Sequence, residues 1–235
     1  HPFLGAALPA PDGDSLTLTG RITLDAHPWL ADHIIRDTLI LPGAAFAECV
    51  LRAGREVGCD LLEELVIEAP LVLPATGGVA VRIAVGEPDD AGRRTFDLYA
   101  RPDAAPGWNR HAGGTLKPGD ALPATEAATE TVAWPPADAE PVDVDDLYDR
   151  LAAAGYAYGP AFQSVHAAWR TPDAIWAEVV LDGEPAGFGL HPALLDGALQ
   201  LSALAATGGD VAQLPFAWHD VRLPGHGADR LRVRL

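Results

Sequence analysis

Apolar and polar positions along this chain fall into one plan that occurs twice. In the first instance Leu16 to Leu24 (LTLTGRITL) alternates as a half-buried strand does. A connection then runs to Pro42-Gly43, after which Phe46, Cys49, Val50 and Ala53 recur at helical spacing. Pro and Gly punctuate the start of that helix. In the second instance Ala174 to Leu181 (AIWAEVVL) reads as a strand, and Gly189 to Ala206 (GLHPALLDGALQLSALAA) as a helix with Pro192 in its first turn. Between them, LVIEAPLVLP, VAVRIAV, RTFDLYA and WNRHAGGTL are strand-like runs separated by Gly, Pro and Asp turns, which predicts a meander. DVDDLYDRLAAAG reads as a short helix, capped by Asp143 or Asp145 and ended by Gly155.

An antiparallel sheet with one face on a buried helix explains both the alternating strands and a helix apolar nearly all round. The fold class is therefore α+β: a curved antiparallel sheet wrapped around a central apolar helix, twice. Composition shifts to Pro, Ala, Thr and acids between Lys117 and Val144, as in a crossing linker. The expected division is a first unit at 1–118, a linker at 119–142 and a second unit at 143–235. Fewer residues follow the second helix than the first, so the second sheet reads as truncated or incomplete at Leu235. The sequence begins at His1 without Met and reads as a domain excised from a longer polypeptide.

At 49% hydrophobic residues the 235-residue chain can bury a sizeable core. No apolar run reaches the ~20 residues that span a bilayer. The formal charge of −17, with 33 acidic and 16 basic residues, argues against a nucleic-acid partner. Cys49 and Cys59 have neither disulfide-framework nor zinc spacing, and a reducing, cytoplasmic compartment fits them. No His pair sits at i,i+4 or as HxH, so no metal is expected.

Asp196 is the anomaly, a carboxyl group on a helix that should be buried on most sides. Gln200 lies four residues on, along the same stripe, and no Lys or Arg lies within a turn. Buried without a cation, such a group stays protonated and can act as an acid. His33, between a strand and the Pro42-Gly43 helix start, holds the corresponding place in the first unit. Paired about a pseudo-twofold axis, the two units would bring His33 and Asp196 to one apolar pocket. A helix starting at Gly43 would offer free N–H groups to a polarised carbonyl. The plainer alternatives are a satisfied loop histidine, an Asp paired within its helix, and a turn glycine. His191 reads as structural, and His27, His111, His166, His219 and His226 as surface or turn residues.

Four ordered stretches resemble one family. His33 to Pro42 (HIIRDTLILP) is similar to the HxxxGxxxxP motif of dehydratase domains from modular polyketide synthases. Gly155 to Phe162 (GYAYGPAF) resembles their GYxYGPxF, and Leu214 to Trp218 (LPFAW) their LPFxW. His191 to Gln200 (HPALLDGALQ) resembles their HPxxxD and DxxxQ, and the opening HPFLGAAL their first strand. The resemblance implies a double hot-dog fold, His33 as base, Asp196 as acid, and Tyr158 and Gln200 in support. It places Pro42, Pro160, Phe162, Leu214, Pro215, Phe216 and Trp218 along a substrate tunnel. It further implies dehydration of a 3-hydroxyacyl thioester on the phosphopantetheine arm of an acyl carrier protein, with no cofactor in the domain itself. The implied partners are that carrier protein, neighbouring synthase domains and a second copy of the chain. Two acidic proteins can still meet when tethered, at effective concentrations up to about millimolar.

Asp37 departs from the family pattern, which has Gly there. A charge at this place is expected to reshape the loop after His33 or narrow the substrate's way in. That keeps open a specialised relative that shifts a double bond, cyclises or epimerises, and a silent acyl-binding domain.

Overall fold

The computed structural model describes residues 1–119, 133–205 and 215–235. Pro42, in extended backbone, precedes helix α1 (Gly43–Glu56), whose buried face carries Phe46, Cys49, Val50 and Ala53 as the spacing predicts. Around it curves a sheet of β1 (Ala6–Pro9), β2 (Leu16–Ile22), β6 (Val79–Val85), β7 (Arg94–Pro102), β8 (Asn109–Lys117), β5 (Leu61–Ile67) and β13 (Ala217–Arg222), in that spatial order. Period-two alternation turns Val79, Val81, Ile83 and Val85 of β6 onto the helix and leaves Arg82 exposed. Burying each such side chain contributes about 1.5–3 kcal/mol.

A second, four-stranded sheet runs β14 (Arg230–Arg234), β12 (Ala174–Val180), β11 (Val165–Thr171), β9 (Glu140–Val142). It packs against α3 (Pro192–Gln200), with α2 (Leu147–Ala153) over the same core. This is the expected double hot-dog arrangement, and α1 touches α3 at its centre. Sequence and structure differ in detail. Residues 120–132 of the expected linker lie outside the described residues, and 140–142 form the edge strand β9. β13, from the second half, pairs with β5 of the first. Neither Asp143 nor Asp145 caps α2: its N-cap is Asp146, which makes no side-chain cap bond, while Asp143 accepts from the Asp145 N–H at 2.9 Å.

A third, small sheet joins the halves. β3 (His33–Ile35) and β4 (Thr38–Leu39) form a hairpin, and β10 (Tyr156–Tyr158) pairs with β3 in the register Tyr158 to His33. The hairpin turn is Arg36-Asp37, with φ of 47° and 61°. Two successive positive φ values make a type I′ turn, which suits strand twist and favours Gly, Asn or Asp. Asp37 is exposed there and is not among the residues lining the cavity described below. Asp occupies the left-handed region at little cost, which is why it stands in for Gly.

Asp37→Gly is accordingly expected to change unfolding free energy by less than about 1 kcal/mol, whereas Asp37→Val, β-branched at positive φ, should cost about 1–3 kcal/mol. Urea denaturation of both variants checks this.

Candidate active site

A short 3-10 turn, Pro28–Asp32, delivers the chain into β3 and buries the His33 side chain to 1% exposure. Its Nδ1 lies 2.9 Å from the Ile40 carbonyl oxygen. A carbonyl only accepts, so Nδ1 carries the proton and Nε2 keeps its lone pair. Nε2 is buried, has no hydrogen-bond partner among the described residues, and lies 3.8 Å from Oδ1 of Asp196. Burial pushes the imidazole below its ordinary pKa, outweighing the nearby carboxyl group. His33 is thus neutral, with its basic nitrogen free.

Asp196 projects from α3 at 6% exposure. Burial raises its pKa, opposed by His33 and by the Gln200 amide, whose Nε2 donates to Asp196 Oδ2 at 3.1 Å. A buried carboxyl group whose acid form burial favours answers the anomaly in the sequence. The helix seats deeply because residue 197 is glycine: a Cβ there would lie 1.9 Å from Ser164 Oγ.

Tyr158 stands beside His33, ring centroids 5.5 Å apart, through the β10–β3 register. Asp32 pins the segment that follows, accepting the Ala161 N–H at 2.9 Å on its carboxylate and the Gly159 N–H at 2.8 Å on its backbone carbonyl. A Cβ at Gly159 would lie 2.4 Å from that carboxylate, so the glycine of GYAYGPAF is a packing requirement. Burial and Asp196 raise the Tyr158 pKa, keeping the phenol protonated.

His33 and Asp196 meet at the wall of a cavity of about 210 Å³. Gly43, at the start of α1, lines it with them, among Ile40, Leu41, Phe46 and Ile67. Of the residues expected along the tunnel, Pro215 and Phe216 line this cavity, Phe216 at 67% exposure. Pro42, Pro160, Phe162 and Trp218 do not: Phe162 packs on His33 with its ring tilted by 51°, 4.9 Å between ring centroids, and Trp218 belongs to the first core. Leu214 lies outside the described residues.

Sequence reasoning missed Tyr148, whose hydroxyl donates to Gln200 Oε1 at 3.2 Å. The signal was there: a phenol on a helix's apolar side needs a polar partner. His111 is not at a surface but buried in β8, 3.2 Å from the Ala69 carbonyl. His191 caps α3, accepting the Ala193 N–H at 3.2 Å, as its structural reading anticipated. Among the described residues His1, Glu48 and Cys49 also cluster. There, His1 Nδ1 accepts two backbone N–H groups, Nε2 faces Glu48 at 2.5 Å, and Glu48 also accepts from the Gly189 N–H at 2.9 Å. These groups satisfy one another.

Comparison with known proteins agrees across the whole chain. A family model described as polyketide synthase dehydratase domain matches residues 1–101, and one described as polyketide synthase dehydratase N-terminal domain matches 126–235. The chain is 52% identical over 246 residues to the pikromycin polyketide synthase component PikAII of Streptomyces venezuelae, covering all of this chain and 6% of that protein. It is 45% identical over 238 residues to the mycoketide-CoA synthase of Mycobacterium tuberculosis, again covering all of this chain and 6% of that protein. The chain thus spans a small fraction of these relatives. Among solved structures, the dehydratase domain from the terminal module of the rifamycin polyketide synthase aligns with a TM-score of 0.88 at 48% identity, over 100% of this chain and 85% of that one. The erythromycin dehydratase aligns at 0.90 and 42%, with the same coverage.

Because the Asp196 pKa is raised on folding from 3.8, the native state loses stability relative to the unfolded chain as pH rises from about 4 through the folded pKa. Asp196→Asn removes that titration. The stability of the Asn variant relative to the parent should therefore grow between pH 4 and pH 8 in urea unfolding; a constant difference would contradict a buried neutral acid.

Proposed function

The chain belongs to the dehydratase domains of polyketide synthases, and from that premise we propose that it eliminates water from a 3-hydroxyacyl thioester with His33 as base and Asp196 as acid. One observation carries this reading: a buried imidazole nitrogen, without a hydrogen-bond partner among the described residues, 3.8 Å from a buried carboxyl oxygen, both on one largely apolar cavity.

The reaction balances with these two groups. His33 Nε2 takes the C2 proton, the C2–H electrons form the C2–C3 double bond, the C3–O bond breaks, and Asp196 Oδ1–H protonates the departing hydroxyl to water. Groups 3.8 Å apart cannot flank the substrate on opposite faces, so both protons move on one face and the elimination is syn. It leaves imidazolium beside carboxylate, and a proton passed back from His33 to Asp196 resets the pair.

Charge is absent before the reaction and develops during it, so the mutual attraction of the two groups strengthens toward the transition state. The start of α1 at Gly43 faces the same cavity and suits the thioester oxygen, which gains negative charge as C2 loses its proton. One such donor contributes on the order of 3 kcal/mol in other enzymes. Gln200 orients the acid, and Tyr158 supports the site beside His33.

The substrate reaches the cavity as an acyl group on the phosphopantetheine arm of a carrier protein, past the exposed Phe216. Neighbouring synthase domains and a second copy of the chain are its further partners. Asp37 is exposed and does not line the cavity, which speaks against a silent domain.

Incubated with a 3-hydroxyacyl pantetheine thioester, the protein should yield a product lighter by one water in mass spectrometry. His33→Ala and Asp196→Asn should each lower kcat by at least about 100-fold with the circular dichroism spectrum unchanged. Turnover retained in either variant removes that residue from the mechanism.

A further inference from the structure

We infer that Tyr148, on α2, is a positioning residue that fixes which oxygen of Asp196 carries the reactive proton, acting through the side-chain amide of Gln200; this rests on the acid role proposed for Asp196.

The chain of contacts starts at the backbone. The Val165 N–H donates to the Tyr148 hydroxyl oxygen at 3.0 Å, which occupies an acceptor site and leaves the phenol proton to be donated. It goes to Gln200 Oε1 at 3.2 Å. Among the described residues this is the donor that holds that oxygen. The other end of the amide is set by a second contact, since Gln200 Nε2 donates to the Phe162 carbonyl, at 3.1 Å, which can only accept. Anchored at both ends, the amide presents its remaining N–H to Asp196 Oδ2, also at 3.1 Å.

Oδ2 must then accept, and the acid proton resides on Oδ1. That is the oxygen facing His33 Nε2 at 3.8 Å, where a leaving hydroxyl would sit. Without the phenol, Oε1 becomes a buried acceptor lacking a partner, and the amide is free to turn away from Asp196. Three elements not adjacent in sequence, α2, β11 and α3, thus place one proton.

The titratable groups facing Asp196 among the described residues are His33 from β3, Tyr158 from β10 and Tyr148 itself from α2. The Gln200 hydrogen bond lowers the Asp196 pKa, so loosening it raises that pKa. In a pH profile of kcat, activity is lost at high pH as Asp196 ionises, and that alkaline limb reports its pKa.

Tyr148→Phe is expected to lower kcat about ten-fold with KM unchanged, the order of one hydrogen bond, and to move the alkaline limb to higher pH. In a Gln200→Ala background the same substitution should change neither kcat nor the limb. An additive loss in that background, or an unmoved limb in the Tyr148→Phe single variant, overturns the inference, because a merely structural tyrosine behaves so. In the unaltered protein, NMR should show the two Gln200 side-chain amide protons as separate signals protected from exchange. Rapid exchange overturns the inference even if the Phe variant fails to fold. Asp196→Asn separates the two levels: activity in that variant refutes the acid role, whereas an inactive Asn variant with a normal Tyr148→Phe profile refutes only the tyrosine.

Discussion

Everything in this site depends on keeping an imidazole and a carboxyl group uncharged while they face each other across 3.8 Å. In water at neutral pH the carboxyl group would ionise, and the pair would start where the proposed reaction should finish. Burial opposes this by penalising the charged form of each group, which lowers one pKa and raises the other. The surrounding apolar side chains are thus part of the chemistry. They favour the protonation states from which the proposed elimination would begin, with the favourable ion-pair interaction appearing only as bonds change.

Holding such a pair demands precise support, because neither residue gains an ion partner before the reaction. On the His33 side the support among the described residues is the backbone carbonyl of Ile40, which selects the tautomer. On the acid side it is a relay of amide and phenol ending in the backbone N–H of Val165. Both chains terminate in main-chain groups, Val165 at the start of β11 and Ile40 just after β4 in a bridge to Val72, so side-chain placement inherits the order of the backbone. The glycines at 159 and 197 serve the same end by letting backbone pack where any side chain would collide.

Much of this was legible in the sequence. The two helix starts follow from Pro42-Gly43 and Pro192, and the alternation in LTLTGRITL and VAVRIAV named the strands and their buried faces. Asp196 was conspicuous as a carboxyl group on an apolar helix. Less legible were β3, β4 and β10, which are two or three residues long and too short for alternation to register. Their pairing is long-range, as is the return of β13 to the first sheet. The conformation at Asp37 was hidden for a related reason: Arg-Asp is a weak hairpin signal, and only the backbone angles disclose a type I′ turn. Tyr148 escaped notice because its partners lie 17 and 52 residues away.

The strand β10, contributed by one half and paired to β3 of the other, has a consequence for protein engineering. A chimaera that joins the first half of one domain to the second half of another must reproduce the pairing of Tyr158 with His33 and the grip of Asp32 on residues 159–161. A seam that respects only the two cores would give well-packed hybrids with a misaligned site. Matching the strand at the seam matters more to such hybrids than overall similarity between the parents.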